Sequence, residues 1–248
     1  MMRSFISGLL FFIVFILIWQ TAAALVNLPI LLPFPIDVLN SLKSIVINGS
    51  VFTESIKTLT RAFMGILISI VVGLPIGIGM GMNKAVNKAF SPVMIILQAT
   101  PVISWILLTI IWFDHSFIPL FVIVVATIPI IILNTSEGIK KTDVKLIEMA
   151  IFYKVGLYKR IKDIYIPSII GYLFASLKLV IGFVFKVAVM AEVLSHIEGG
   201  IGDKLSWAQV NINTSDIIAW TIVIIILTYI CEKVITELFQ KRLGGMYE

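Results

Sequence analysis

The sequence is poor in charged residues, cysteine and histidine. Of its 248 residues, 13% are charged, and the mean hydropathy is +1.08. Soluble proteins carry roughly a quarter charged residues, and a soluble fold of this size could not cover so much apolar surface. The single cysteine, Cys231, excludes a disulfide framework within the chain. Two histidines, His115 and His196, are too few to build a Cys/His zinc site.

The formal net charge of +5 would suggest nucleic acid as a partner if the protein were soluble. The basic residues, however, are concentrated in a few short polar gaps between apolar runs. This is the pattern that sets the topology of a membrane protein. We therefore expect membrane lipid, and no nucleic acid, around this chain.

Six apolar runs of membrane-spanning length account for most of the chain, and a spanning helix needs about 20 such residues. They cover residues 5–26, 62–82, 93–113, 118–133, 169–194 and 217–235. Backbone polar groups must be satisfied inside the hydrocarbon, so the runs predict an all-α, polytopic membrane bundle of about six transmembrane helices. We divide the chain into an N-terminal anchor helix with an external loop, 1–57, and a transmembrane domain, 58–248.

Lysine and arginine are distributed unequally between the two sides of such a bundle, and the richer side is cytoplasmic. With a cytoplasmic N-terminus, the poorer side receives Lys43, Lys57, Arg61 and Lys204. The richer side receives Arg3, Lys84, Lys88, Lys140, Lys141, Lys145, Lys154, Lys159, Arg160, Lys162, Lys241 and Arg242. Both termini are therefore predicted to be cytoplasmic.

The N-terminal run has a second interpretation. Arg3, the apolar residues that follow, and Ala22 with Ala24 resemble a signal peptide with an A-x-A cleavage site. The apolar stretch continues to Val26, which is longer than the usual signal-peptide core and favours an uncleaved anchor.

Glycines cluster in the second run. Gly73, Gly77 and Gly81 repeat at four-residue spacing, with Gly65 on the same run. Such a face lets another helix approach closely, so we expect it to be a packing surface. Pro75 and Pro101 are predicted to kink their helices.

Residues 134–168 form the longest hydrophilic stretch and are predicted to be cytoplasmic. Apolar residues recur at helical spacing after Val144, and Asp143 is a candidate N-cap. They predict an amphipathic helix over 144–158. This helix could lie on lipid headgroups, pack on the end of the bundle, or dock into a partner.

The same stretch resembles the "EAA" signature of binding-protein-dependent ABC importer permeases. Glu148-Met149-Ala150 stands where that signature begins, and Pro167 where it ends. In that family the helix inserts into a groove of the ATP-hydrolysing subunit, which the resemblance implies for about 146–158. The family glycine aligns with Lys154, and the nearest glycine is Gly156.

Further motifs resemble the permease branch that serves sulfonates, taurine, nitrate and thiamine precursors. They are Ser91-Pro92, 101–105, Ile111-Trp112-Phe113, 129–135, Ala191-Glu192 and Gly200-Ile201-Gly202. The resemblance implies a MetI-like permease domain in the bacterial inner membrane and a homodimer. It also implies an ATPase subunit and an extracytoplasmic substrate-binding protein as partners.

A Walker A motif is absent, so we expect no cofactor on this chain and ATP hydrolysis by the partner. The sequence thus predicts a transport subunit rather than an enzyme. A membrane enzyme and an ATP-independent secondary transporter are the alternatives. A membrane enzyme would need a carboxylate cluster or histidine relay, and a secondary transporter usually has internal repeats.

Ionisable residues interrupt the fifth run at Lys178, Lys186 and Glu192, each at a cost of about 2.5–3.5 kcal/mol on insertion scales. Lys186 either faces the translocation pathway and attracts an anionic substrate, or pairs with a carboxylate such as Glu54 or Glu192, or reaches polar backbone at a kink. Glu192 either contacts substrate or binds the loop through Gly200 and Gly202. Trp105 either lines the pathway or packs in the core.

Overall fold

The computed structural model describes the backbone of residues 2–244 and the side chains of Ser7 and residues 10–237. Arg3, Lys241 and Arg242, which contribute to the orientation argument, have side chains outside this part. Residues 2–244 contain helices and no strand. The helices are α1 (Met2–Val26), α2 (Pro35–Ile47), α3 (Ser50–Met82), α4 (Lys84–Ala99), α5 (Val102–Trp112), α6 (Ile118–Lys140), α7 (Val144–Phe152), α8 (Leu157–Arg160), α9 (Ile166–Ser195), α10 (Ile201–Val210) and α11 (Thr214–Gly244), with a π-helical turn at Ile161–Tyr165.

Four helical stretches are long and apolar enough to cross a membrane. They are Ser50–Met82, Ile118–Lys140, the continuous run Leu157–Ser195, and Thr214–Glu237. The pair α4 and α5 would make a fifth span if counted together. Leu10–Val26, the part of α1 whose side chains are described, is shorter than these spans. The all-α membrane fold predicted from the sequence is confirmed, and the described residues contain four such spans, or five if α4 and α5 are counted as one.

The third apolar run is broken rather than kinked. Helices α4 and α5 meet at an angle of 94°, at Thr100 and Pro101. Proline has no amide hydrogen and disfavours helical dihedrals in the residue before it, so α4 ends there. Pro75 and Pro129, by contrast, lie inside the continuous helices α3 and α6.

Several helices extend beyond the predicted apolar runs. Helix α3 begins at Ser50 instead of residue 62, and α6 continues from residue 133 to Lys140. The added turns of α6 contain polar residues. Asn134 Nδ2 donates to the Ile130 carbonyl at 2.8 Å, whereas the buried hydroxyls of Thr135 and Ser136 have no hydrogen-bond partner among the described residues. The apolar runs therefore predicted the central parts of these helices but not where the helices begin and end.

The glycine face of α3 packs against α6. A Cβ at Gly77 would lie 2.6 Å from Thr135 Cβ, closer than real side chains approach, and the Ser69 hydroxyl lies 2.7 Å from that of Thr127. Contacting residues are separated by the same 58 positions along the interface, so the two helices run parallel in register. The pairs are Gly65 with Ile123, Ser69 with Thr127, Gly73 with Ile131, Gly77 with Thr135, and Gly81 with Ile139.

The main apolar core lies between α3, α6 and α9, with α5 and α11 at its margin. A second core joins α2 to α10 and α11 through Val38, Ile201 and Trp220. The predicted external loop therefore contains a helix, α2, that packs against the bundle. These two cores position the two polar regions described next, one at each end of α9.

Candidate coupling helix and charged sites

Helix α7 begins where the N-cap was expected. The Asp143 carboxylate accepts a hydrogen bond from the amide of Lys145 at 2.9 Å, which satisfies one of the free donors in the first turn. The helix ends at Phe152, six residues before the predicted end at 158. It lies between α6 and the continuous helical run that leads into α9.

A left-handed residue ends α7. Lys154 has a φ of 50°, its amide donates to the Ile151 carbonyl at 2.9 Å, and the Val155 amide donates to the Ala150 carbonyl at 2.8 Å. These two bonds form a Schellman motif, in which glycine is the usual left-handed residue. Lys154 is the position where the importer signature has its glycine, so here a lysine adopts the left-handed conformation that ends the helix. Gly156, with a φ of −61°, does not need glycine's freedom.

The α7 helix has one face on the bundle and another exposed. Ala150 is 4% exposed, and Ile147 packs with the cluster of Ile139, Tyr165 and Ile169. Met149 is 52% exposed and Phe152 80% exposed. The exposed residues of 144–159 are Val144, Lys145, Leu146, Glu148, Met149, Ile151, Phe152, Tyr153, Lys154, Gly156, Leu157, Tyr158 and Lys159. An exposed apolar face of this kind is typical of an interaction surface.

Pro167 lies in the first turn of α9. Its ring removes an amide donor and crowds the carbonyl four residues earlier. The π-helical turn Ile161–Tyr165 directly precedes it and accommodates this irregularity within a continuous helix. Pro167 thus marks the start of the spanning part of α9.

At the other end of α9, Glu192 is fully buried among donors of its own chain. Its carboxylate accepts hydrogen bonds from Arg61 Nη1 at 2.7 Å, from Thr58 Oγ1 at 3.0 Å and from the Gly202 amide at 2.9 Å. The Glu192 carboxylate therefore joins α3, α9 and α10.

Two side chains of α3 cap the N-terminus of α10. The Gly200 amide donates to Glu54 Oε2 at 2.7 Å, and the Ile201 amide donates to Thr58 Oγ1 at 2.9 Å. A Cβ at residue 202 would lie 2.3 Å from Glu192 Cβ, so this position requires glycine. We name the side chains of Glu54, Thr58, Arg61 and Glu192, with the amides of 199–202, the Glu192 cluster.

The sequence analysis missed three members of this cluster as site residues. Glu54, Thr58 and Arg61 occur at positions i, i+4 and i+7, the spacing of one helix face, immediately before an apolar run. That spacing is a signal that could have placed them on one face of α3. It could not have identified Glu192 as their partner.

Lys186 and Lys178 project from α9, and neither has a counter-ion among the described side chains. Both are exposed, and among the described side chains neither ammonium group lies within 4.0 Å of a carboxylate. The two carboxylates considered as partners of Lys186 are held elsewhere: Glu54 by Lys57 at 3.1 Å, and Glu192 by Arg61. The structure therefore does not pair Lys186 with either.

Trp105 is half-buried on α5 and packs against the main core. Its indole Nε1 is buried and has no hydrogen-bond partner among the described residues. The ring lies against this chain's own helices, and the structure does not bring it together with Glu192 in one polar site.

Comparison with known proteins identifies the family. The model of the binding-protein-dependent transport system inner membrane component matches residues 65–245. The formylaminopyrimidine transport permease protein ThiX of Halalkalibacterium halodurans is 30% identical, over 80% of this chain and 80% of its own length. The nitrate import permease protein NrtB of Synechococcus elongatus is 29% identical, over 76% of this chain and 71% of its own length.

Solved structures show the same fold. An amino acid ABC transporter crystallised with histidines matches with a TM-score of 0.64, over 81% of this chain and 97% of that one, at 17% identity. The MetNI methionine ABC transporter in an inward-facing crystal form matches with a TM-score of 0.60, over 76% of this chain and 94% of that one, at 13% identity. This chain therefore belongs to the binding-protein-dependent transport system inner membrane components, the permeases of ABC importers.

Proposed function

We propose that two copies of this chain form the translocation pathway of an ABC importer, and that each copy engages one ATPase subunit through α7. Both termini and α7 face the cytoplasm, because the basic residues are concentrated on that side. The Glu192 cluster then lies at the extracytoplasmic end, where a binding protein delivers the substrate.

The observation that supports this proposal is the exposed apolar face of α7 between two membrane-spanning helices. Phe152 is 80% exposed and Tyr153 is 72% exposed. Large exposed aromatic residues are common anchors of protein interfaces. The buried side of α7, on which Ala150 lies, transmits movement to the bundle through Ile147, which packs against Ile139 of α6 and Ile169 of α9.

ATP binding and hydrolysis occur on the partner, and this chain binds no cofactor. A conformational equilibrium shifts only as far as a ligand binds its two states differently. In the proposed importer, ATP supplies that difference through the ATPase subunit, and α7 carries it to α9. The bundle thereby alternates between inward-open and outward-open states.

The substrate is a small nutrient of the kinds for which the relatives are named, nitrate or a formylaminopyrimidine. Recognition at the outer face belongs largely to the binding protein. The permease must then conduct whatever that protein releases.

Crosslinking from α7 tests the proposal. In a Cys231→Ser background, Met149→Cys and Phe152→Cys should each crosslink to the ATPase subunit in the detergent-purified complex. Ala150→Cys, one residue away but 4% exposed, is the matched control and should not. ATP-dependent transport with no crosslink from either exposed position would disprove docking through α7.

A further inference from the structure

The open face of α9 contains two lysines and small residues. At 3.6 residues per turn, positions 171, 175, 178, 182 and 186 fall within about 80° of one another around the helix. They are Gly171, Ala175, Lys178, Gly182 and Lys186. A Cβ at Gly171 or Gly182 would have no described atom within 4 Å beyond its own stretch of helix, so no other described helix packs closely against these two positions. We call these five residues the α9 lysine face.

From this arrangement we infer that Lys178 and Lys186 form an anion-binding ladder in the translocation pathway, completed by the same face of a second copy. The inference rests on the proposed two-copy pathway and adds the chemical class of its substrate. The two lysines are separated by a rise of about 12 Å along the helix. An anion could therefore pass from one ammonium group to the next.

Lipid is a poor neighbour for this face. Lys186 precedes the end of α9 at Ser195 by nine residues, about 14 Å, so its ammonium group cannot easily reach an aqueous surface along that helix. Charged side chains at such depth almost always face a bundle interior or a water-filled cavity. The small residues beside the lysines leave room for such a cavity or for a second helix.

The described carboxylates do not neutralise the ladder. Glu54 and Glu192, the two carboxylates expected as possible partners of Lys186, are bound in the Glu192 cluster. No ion pair between a described carboxylate and either lysine is present. The positive charge of this face is therefore available to an external anion, and two copies would double it.

Charged thiol reagents measure both water access and local potential, and they need no knowledge of the natural substrate. Lys186→Cys and, separately, Lys178→Cys are made in a Cys231→Ser background, and the full-length chain is reconstituted into proteoliposomes. Reaction rates are measured with a sulfonate-bearing and a trimethylammonium-bearing methanethiosulfonate. Each rate is divided by that reagent's rate at Phe152→Cys, which is exposed outside the spans and corrects for intrinsic reactivity.

We expect the normalised rate at Lys186→Cys to favour the anionic reagent about tenfold. Adding Lys178→Met should reduce that preference at least threefold, since it removes the neighbouring charge. Lys178→Cys with Lys186→Met repeats the measurement in the other direction, should one cysteine variant fail to fold. Ile225→Cys, 61% exposed on the apolar α11, is the control at an exposed position outside the α9 lysine face, and it should react with neither reagent.

Three results would overturn the ladder. Failure of both reagents at both lysine positions would place the face against lipid or tightly packed protein. Equal normalised rates would show a wet surface without anion preference, and faster cationic labelling would reverse the proposed potential. None of these measurements involves the ATPase, so they are independent of the crosslinking test of α7.

Discussion

Arg61 Nη1 lies 2.7 Å from Glu192 Oε1, although the two residues are 131 positions apart in the chain. The same nitrogen donates to the Gly199 carbonyl, also at 2.7 Å. One guanidinium group thus holds the end of α9 and the loop that follows it against α3. Because Glu192 is fully buried, its carboxylate would be a buried charge without a counter-ion if Arg61 were removed.

Removal of the Glu192 carboxylate should strongly destabilise the protein. Glu192→Ala leaves Arg61 without its counter-ion and the Gly202 amide without its acceptor, and breaking a buried pair costs about 3–5 kcal/mol. Glu192→Gln keeps an acceptor oxygen and should cost less. The thermal unfolding midpoint in detergent measures both.

The control is Glu137→Ala, which removes an exposed pair with Lys140 and should change stability by at most about 1 kcal/mol. Equal effects of Glu192→Ala and Glu137→Ala would contradict the structural importance of the cluster.

Gly77 should not tolerate even a methyl group. In Gly77→Ala the new Cβ would meet Thr135 Cβ at 2.6 Å and the Ile132 carbonyl oxygen at 2.7 Å, and overpacking of this kind costs about 1–3 kcal/mol. Gly79→Ala, two residues along, places its Cβ at an ordinary 3.7 Å from Val86 and is the matched control. We expect a lower unfolding midpoint for the first variant only. A similar loss in Gly79→Ala would attribute the effect to glycine flexibility instead.

Lys154→Gly should stabilise the end of α7. A left-handed conformation costs a residue with a side chain roughly 1–2 kcal/mol, and glycine avoids that cost. The Lys154 and Val155 amides, which donate to Ile151 and Ala150, should then exchange hydrogen about fivefold more slowly, corresponding to ~1 kcal/mol. Mass-spectrometric hydrogen exchange on the purified chain measures this.

Gly156→Ala is the control and should leave exchange unchanged, because the φ of Gly156 is ordinary and a Cβ there would meet no described atom within 4 Å. Faster exchange in Lys154→Gly would refute the strain.

Phe152→Ala should weaken binding to the ATPase subunit without affecting the fold. Phe152 is 80% exposed in this chain, so its truncation removes little internal packing, whereas an aromatic anchor in an interface contributes about 2 kcal/mol or more. Titration of the ATPase subunit onto the permease in detergent should show at least a roughly thirtyfold loss of affinity. Tyr229→Ala, 65% exposed on α11, is the control for removing an exposed aromatic residue elsewhere. Equal affinity of Phe152→Ala and the unmodified chain would exclude Phe152 as an anchor.

Part of this fold could be predicted because its causes are local. Asp143 begins α7 because a carboxylate can cap the amides that follow it directly, and that capping is visible in the sequence. Gly73, Gly77 and Gly81 indicate a packing face because a four-residue repeat places them on one side of any helix. The 94° break at Pro101 was underestimated as a kink, since proline signals an irregularity and neighbouring helices decide its size.

The sequence by itself determined that this chain is a helical membrane protein, where its apolar segments lie, and which signature it shares with importer permeases. These properties follow from hydropathy, helical period and short motifs, each of which acts over a few residues. Only the tertiary structure decided that Glu192 is paired with Arg61 and that Lys186 is not paired with Glu192. Ion pairing depends on which helices become neighbours, and the packing of α3, α6 and α9 brings together residues that the linear order separates by more than a hundred positions.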